Sequence, residues 1–328
     1  HWTKSCDRWW TQLMNNAMLI AVDWGTSHLR AYLCQTDKVE ANKLTLLETK
    51  VGAGVSKVEH GFEQELFSLI QPWFNTYGEM QIVMSGQIGS SIGWQETEYL
   101  PCPVTPADVA TQCLNFEVSS KSLFIIPGVT CKHDNGIRDV MRGEELQVLG
   151  WLQLSEQHKT GDHLICLPGT HTKWVKVSDG RILMFKTALT GELFDLLSNQ
   201  SVLIQKQSEQ FDFTAFEKGV SFTLNSGNGS FSHGLFSVRS KQLFNELTPT
   251  QSQSYLSGVL IGTDVRAALN AEEWQLDSDT VVSIVGSNQL TKCFALALKQ
   301  VGIQSSLYDE QETSLNGFGV VNQILNKE

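Results

Sequence analysis

The first apolar run of the chain, Leu19 to Val22, reaches Asp23, turns through Gly25-Thr26-Ser27 and leaves as an alternating stretch in which Leu29, Ala31 and Leu33 share one face. That pattern predicts strand, tight turn, strand. The same pattern returns in the second half, where Leu164 to Leu167 turn through Gly169-Thr170-His171 and leave as Lys173 to Val177. Aligning Gly25 on Gly169 also aligns Thr26 on Thr170, so the turn is repeated along with the hydrophobicity.

The remaining elements follow in two matching series. In the first half, Leu44 to Val51 predicts a third strand running into Gly52-Ala53-Gly54, and Phe62 to Trp73 has helical spacing. Gln81 to Met84 and Leu123 to Ile126 read as short buried strands, the second stopped by Pro127-Gly128. Arg138 to Glu145 is read as the opening of a helix whose Leu146, Leu149 and Leu152 face one way. In the second half, Arg181 to Lys186 follows across Ser178-Asp179-Gly180, whose Asp-Gly pair signals a hairpin. Thr190-Gly191-Glu192 then leads into a helix, Leu193 to Ile204, with Thr190 as its N-cap. Gln205 to Thr250 is polar, includes a loop by composition at Asn225 to Ser230, and reads as helices inserted between core elements. Ser254 to Asn270 predicts a long helix with Gly258 and Gly262 four apart, which lets another backbone or a nucleotide approach closely. Thr280 to Val285 is a strand ending in Gly286-Ser287, Leu290 to Leu298 a helix, Gln304 to Tyr308 a strand and Ser314 to Leu325 the last helix. Each half therefore spells three strands, then helix, strand, helix, strand, helix. That order predicts an α/β fold with a mixed five-stranded sheet flanked by helices in each half.

The length of 328 residues suits two domains, expected at 18–155 and 156–328. Residues 1–17, with Trp2, Trp9 and Trp10 and no clean periodicity, are expected to be a leader foreign to the fold. The helix Ser254 to Asn270 could pack on a second subunit, as in a homodimer, or inside its own domain. At 41% hydrophobic and 18% charged the composition is that of a soluble globular protein, and no run approaches the ~20 apolar residues that span a bilayer. A net charge of −11 argues against a nucleic-acid partner, so an anionic substrate needs local Arg or Lys. Seven scattered cysteines form no C-x-x-C pair, which points away from zinc and disulfides and towards a reducing cytoplasm.

Several segments carry candidate chemistry. A Gly-Thr turn brings backbone N–H groups and a hydroxyl close to an anion such as phosphate, and Asp23 at a strand end suits magnesium held through water. The plain alternative, hairpins merely shaped by Gly and Thr, loses weight because the two copies match. The loop Ser85 to Trp94 holds Gly89, Ser90 and Trp94 after a strand, where ligands gather in α/β folds; otherwise Trp94 packs as a lid on the core. Asp139 or Glu144 could accept a proton from a hydroxyl nucleophile while Arg138 or Arg142 neutralises an anion. Glu144 and Glu145 are equally explained as carboxylates favoured at a helix start. Gly286-Ser287, at a strand-to-helix junction, could support adenine or ribose.

Duplicate halves of this order with Gly-Thr hairpins resemble the superfamily that unites sugar kinases with actin-like ATPases. DWGTSHLRA from Asp23, IGSSIGW from Ile88 with Pro101-Cys102-Pro103, DVMRGEE from Asp139, LPGTHTKWV from Leu167 and TGELF from Thr190 occur together and in order. As a set they resemble the 2-dehydro-3-deoxygalactonokinase family over about Met18 to Leu325. The resemblance implies two duplicated ribonuclease-H-like (actin-like ATPase) domains facing across a cleft, with ATP and Mg2+ used to phosphorylate the 6-hydroxyl of 2-dehydro-3-deoxy-D-galactonate in bacterial galactonate catabolism. It implies that Gly25, Thr26 and Ser27 hold phosphates from one side and Gly169, Thr170 and His171 from the other, with Asp23 near the metal and Gly286 and Ser287 by the adenosine. Glu144 is implied as the base, with Asp139 second. Gly52, Gly54, Gly89, Ser90 and Trp94 would line the sugar-acid site, and Arg30 or Arg142 would oppose the carboxylate. Gln87 and Ser91 stand where the family pattern carries Met and Arg, which puts the selectivity of the substrate loop in doubt. Two rivals share the hairpins: an actin-like ATPase without a sugar acceptor, and a sugar-sensing module without turnover.

Overall fold

The structure, a computed structural model, describes residues 18–37, 42–205, 210–225, 231–274, 276 and 279–327. The expected leader and most of the loop at Asn225 to Ser230 lie outside the described residues. The chain divides into two compact units: one comprises the chain up to Gly161, Val177–Met184 and the chain from Gln311, and the other comprises Asp162–Lys176 and Phe185–Glu310.

In the first unit the doubled motif forms β1 (Met18–Trp24) and β2 (His28–Thr36), followed by β3 (Leu44–Ala53) and α1 (Phe62–Tyr77). Then come β4 (Gln81–Ser85), β5 (Tyr99–Pro101), α2 (Pro106–Thr111), β6 (Leu114–Val118), β7 (Lys121–Ile125), β8 (Gly128–Lys132), β9 (Arg138–Met141) and α3 (Glu144–Gln153). The main sheet runs β3-β2-β1-β4-β7-β6. β1 pairs antiparallel with β2 and parallel with β4. Leu19, Ile20, Ala21 and Val22 are wholly buried, as a continuous apolar run in a sheet covered on both faces should be. On α1, Leu66, Ile70, Trp73 and Phe74 are buried at helical spacing and join the same core.

Two expectations are corrected here. The first sheet has six strands rather than five, because β6 adds antiparallel to β7. Arg138 to Glu145 does not open a helix: β9 pairs antiparallel with β8, placing Asp139 opposite Cys131, and the helix begins only at Glu144, after Gly143 at φ 108°. The physical reason is strand pairing. β8 is already held by β5 in a separate three-stranded sheet, so its free edge recruits Arg138–Met141 into a ladder that the local charge pattern does not announce.

The second unit repeats the order. β10 (Asp162–Leu167), β11 (Thr172–Ser178) and β12 (Arg181–Ala188) are followed by α4 (Thr190–Gln200), α5 (Phe213–Asn225), α6 (Phe231–Leu243) and α7 (Pro249–Leu269). The chain continues with β13 (Val281–Gly286), α8 (Asn288–Gln300), β14 (Gln304–Asp309) and α9 (Glu310–Leu325), most of the last belonging to the first unit. The sheet has the expected five strands and is mixed, in the order β12-β11-β10-β13-β14, with β13 parallel to both neighbours. The turn between β11 and β12 has Asp179 and Gly180 both at positive φ, as its Asp-Gly signal required. Thr190 is not an N-cap: α4 starts at Thr190 itself, Leu189 holds the cap position, and the Thr190 hydroxyl is engaged elsewhere. Among the described residues no helix is long and apolar enough to cross a membrane.

Gly258 and Gly262 answer to a backbone rather than a nucleotide. A Cβ on Gly258 would stand 2.1 Å from the Phe216 carbonyl oxygen of α5, and one on Gly262 would stand 2.1 Å from Thr223 Oγ1. The long helix thus packs inside its own unit. Helix propensity alone would make Gly258→Ala stabilising by about 1 kcal/mol. The clash is with fixed backbone, where overpacking costs about 1–3 kcal/mol or more, so a net loss of stability is expected in urea denaturation. A gain would show that α5 and α7 can separate without cost.

Candidate active site

In the first unit the Gly25–Ser27 turn is held from behind. Val55 N donates to Gly25 O at 3.0 Å, while Ser56 N and Oγ donate to Thr26 O at 3.1 and 2.8 Å. Gly54 makes this possible, since a Cβ there would lie 2.3 Å from His28 N. Gly52 serves the same support: Leu69 and Glu65 side chains fill the place of its Cβ, and Glu65 Oε1 accepts from Ala53 N at 2.7 Å. Thr26 and Ser27 remain exposed. Asp23, one residue before the end of β1, is half-exposed and pairs with its register partner Arg30 at 3.4 Å. At such exposure the pair adds little to stability.

The structure brings Asp23 and the Gly143-Glu144 turn into one neighbourhood through Gly86. A Cβ on Gly86 would lie 3.6 Å from Asp23 Oδ1, and one on Gly143 would lie 3.4 Å from the Gly86 Cα. Gly86 at φ 99° and Gly143 at φ 108° both sit where only glycine is unstrained. Glu144 is partly exposed and accepts from Arg142 N at 3.1 Å. Glu145 is fully buried, and its two oxygens accept from Gly143 N at 2.9 and 2.8 Å. Burial, and then the neighbouring Glu144 charge, push the Glu145 carboxyl up to about 8, against the Gly143 N–H that favours ionisation.

The other predicted residues divide. Asp139, on β9, accepts from Val140 N at 2.8 Å and pairs with His133 at 3.7 Å. Arg142 is buried: both terminal nitrogens donate to Thr97, one to the hydroxyl and one to the carbonyl at 2.8 Å, and the guanidinium lies 4.3 Å from the Tyr99 ring centre. Gly89 is buried against that guanidinium and Thr97, so Arg142 clamps the loop that carries Gly89 and Ser90. The Ser90 hydroxyl donates to Gln87 O at 2.7 Å. Trp94 packs with Trp24, Phe62 and Phe116, with ring centres 5.4–6.5 Å apart, as the lid on the core that was the alternative reading.

In the second unit, a cavity of about 520 Å³ opens beside the Gly169-Thr170 turn and is also lined by Thr190, Gly191, Phe211 and Ser287. That size falls in the ~300–1,000 Å³ range of small-molecule sites. Gly286 ends β13 against Pro168, so the two strand ends meet at the rim. Ser287 occupies the N-cap of α8 without a side-chain cap bond. Gly191 packs so closely on the turn that a Cβ would stand 2.4 Å from Gly169 O. Glu192 N donates to Thr170 O at 2.9 Å, and His171 Nε2 meets Glu192 Oε2 at 2.5 Å.

Three residues escaped the sequence reading. Thr172 is wholly buried on the cavity wall, with a hydroxyl that finds no partner among the described residues. Asp264, on α7, accepts from Thr190 Oγ1 at 2.6 Å and Trp174 Nε1 at 2.8 Å. Gly191 belonged to a recognised motif without being placed against the Gly169-Thr170 turn. A lone carboxylate inside the apolar face of α7 was the available signal for Asp264.

The Glu145 carboxyl has a pH consequence. Its folded value of about 8 stands above the ordinary 4.5, so the folded state holds the proton more tightly and stability falls as pH rises from about 5 through about 8. Glu145→Gln should remove this slope. Its stability relative to wild type should rise by a few kcal/mol between pH 5 and pH 9 in urea denaturation, and parallel pH curves would contradict the assignment.

The chain resembles known proteins over nearly its whole length. The family model described as 2-keto-3-deoxy-galactonokinase matches residues 23–321. The protein from Rhizobium meliloti (strain 1021) named "Probable 2-dehydro-3-deoxygalactonokinase" is 31% identical over 296 residues, covering 89% of this chain and 92% of that one. The 2-dehydro-3-deoxygalactonokinase of Escherichia coli (strain K12) is 30% identical over 295 residues, covering 87% and 91%. The crystal structure of a "putative 2-dehydro-3-deoxygalactonokinase protein" from Sinorhizobium meliloti superposes with a TM-score of 0.82 at 30% identity, covering 93% of this chain and 98% of that one. The sequence order of motifs, the duplicated sheet and these matches agree: the chain belongs to the 2-keto-3-deoxy-galactonokinase family.

Proposed function

We propose that this protein transfers the γ-phosphoryl group of ATP to the 6-hydroxyl of 2-dehydro-3-deoxy-D-galactonate, a step in galactonate breakdown. The observation that carries the reading is the cavity of about 520 Å³ whose wall includes both the Gly169-Thr170 turn and Ser287 at the start of α8. A turn rich in backbone N–H groups beside an open helix N-terminus suits a nucleotide's phosphates and ribose.

Phosphoryl transfer asks mainly for positioning and charge neutralisation. Gly169, Thr170 and His171 form the phosphate turn of the second unit, and Gly25, Thr26 and Ser27 the matching phosphate turn of the first. Gly286 and Ser287 take the adenosine. Magnesium, when bound, neutralises phosphate charge; it needs only one or two carboxylates besides phosphates and water, and half-exposed Asp23 supplies one. Glu144 is the general base: it is partly exposed and follows a glycine turn that packs on Gly86 beside Asp23, whereas Asp139 lies on β9 against His133. Exposed Arg30 is preferred over Arg142 as partner of the substrate carboxylate, because Arg142 is buried on Thr97. Gly89 and Ser90 present the loop that Arg142 clamps, with Trp94 as its wall and Gly52 and Gly54 behind the first turn. The six free cysteines among the described residues support a cytoplasmic setting.

An ADP-release assay with a panel of 2-keto-3-deoxy sugar acids tests the proposal. Sugar-dependent turnover is expected; hydrolysis indifferent to sugar would indicate an actin-like ATPase, and binding without turnover a sensor. Glu144→Gln should lower kcat by roughly two to four orders of magnitude with ATP affinity nearly intact. Asp139→Asn should retain most of the activity, and the reverse pattern in kcat would transfer the role of base to Asp139.

A further inference from the structure

The buried carboxylate of Asp264 has no part in the chemistry above. It lies on α7, with neutral donors arriving from two other elements: Trp174 Nε1 of β11 at 2.8 Å and Thr190 Oγ1 of α4 at 2.6 Å. Burial raises its pKa to about 6 even though both donors pull it down. A carboxylate in this setting is a poor way to stabilise a fold, since neutral donors only partly offset lost hydration. What it does achieve is geometric. Thr190 begins the segment in which Gly191 packs on Gly169 O and Glu192 N donates to Thr170 O.

We propose that Asp264 is a positioning residue for the nucleotide: through the Thr190 hydroxyl it fixes the Thr190–Glu192 segment, which in turn fixes the Gly169-Thr170 phosphate turn. Asp264 itself is 6% exposed, whereas Thr190, Gly191, Gly169 and Thr170 line the cavity, so it acts from behind the site. With the bond in place, the turn's N–H groups stand ready before the phosphates arrive, and binding need not order them. With the bond lost, the first turn of α4 keeps its apolar packing on α7 but loses its polar tie, and the phosphate turn loses part of its backing. The inference rests on the nucleotide reading of this cavity.

The test is equilibrium binding of ADP by calorimetry, with steady-state KM values for ATP and for the sugar acid. Thr190→Val keeps the shape and removes the donor; it should raise the ADP Kd and the KM for ATP roughly tenfold or more, the size of one lost hydrogen bond to a charged group. The KM for the sugar acid should stay within about twofold, because that ligand does not use this turn. Thr190→Ser should restore ADP binding to within about threefold of wild type. Trp174→Phe removes the donor that does not touch the turn, and should lower Tm with little change in ADP Kd. Asp264→Asn should weaken ADP binding in the wild-type background and add little in the Thr190→Val background, since both act through one bond. The inference is overturned if ADP Kd is unchanged in Thr190→Val while Tm falls, if Trp174→Phe weakens ADP as much, or if serine fails to restore binding. Failure of the wild type to bind ADP refutes the nucleotide reading itself, and the inference with it.

Discussion

Both turns read as phosphate-binding depend on one kind of contact: a glycine from a remote segment laid directly on the turn's backbone. Gly54 sits on Ser27 and His28, and Gly191 sits on Gly169 and Thr170, each so near that no Cβ fits. In each unit the glycine also brings in backbone donors, from Val55 and Ser56 in one case and from Glu192 in the other. A two- or three-residue turn is too short to stiffen itself. Its conformation is set from behind, and its outer face is left for a ligand. The duplication therefore extends past the hairpins to the way they are braced, although the bracing segments differ in sequence.

The acidic residues show how burial assigns roles that residue type does not. Asp23 and Glu144 are partly exposed, near a strand end and at a helix start. Glu145 and Asp264 are buried, and both are pushed above the ordinary carboxylate range by lost hydration. Those two serve geometry: Glu145 grips Gly143 N and Asp264 grips Thr190. Adjacent Glu144 and Glu145 are indistinguishable by residue type, yet one side of α3 faces out and the other faces the core.

Arginines divide in the same way. Arg142 was one of the cations expected to meet an anionic substrate; its guanidinium is enclosed by Thr97 and Tyr99, where it ties the Gly89–Ser90 loop to the end of β9. Arg30 alternates outward on β2 and keeps its charge at the surface beside Asp23.

The amino-acid pattern alone determined every strand of the two large sheets except β6, the paired Gly-Thr turns, and the set of motifs that places the chain in its family. These are legible because they depend on neighbours two to four positions apart, where periodicity and turn chemistry act. Tertiary structure alone decided that Arg138–Met141 is a strand, that Thr190 bonds Asp264 rather than capping a helix, and that Gly258 receives a backbone. The last two rest on partners far away in the chain, Thr190 and Asp264 being 74 residues apart, and the first on a β8 strand that β5 already holds. A hydrogen bond or a missing Cβ across such a distance leaves no local periodic trace, and only the folded chain brings the two sides together.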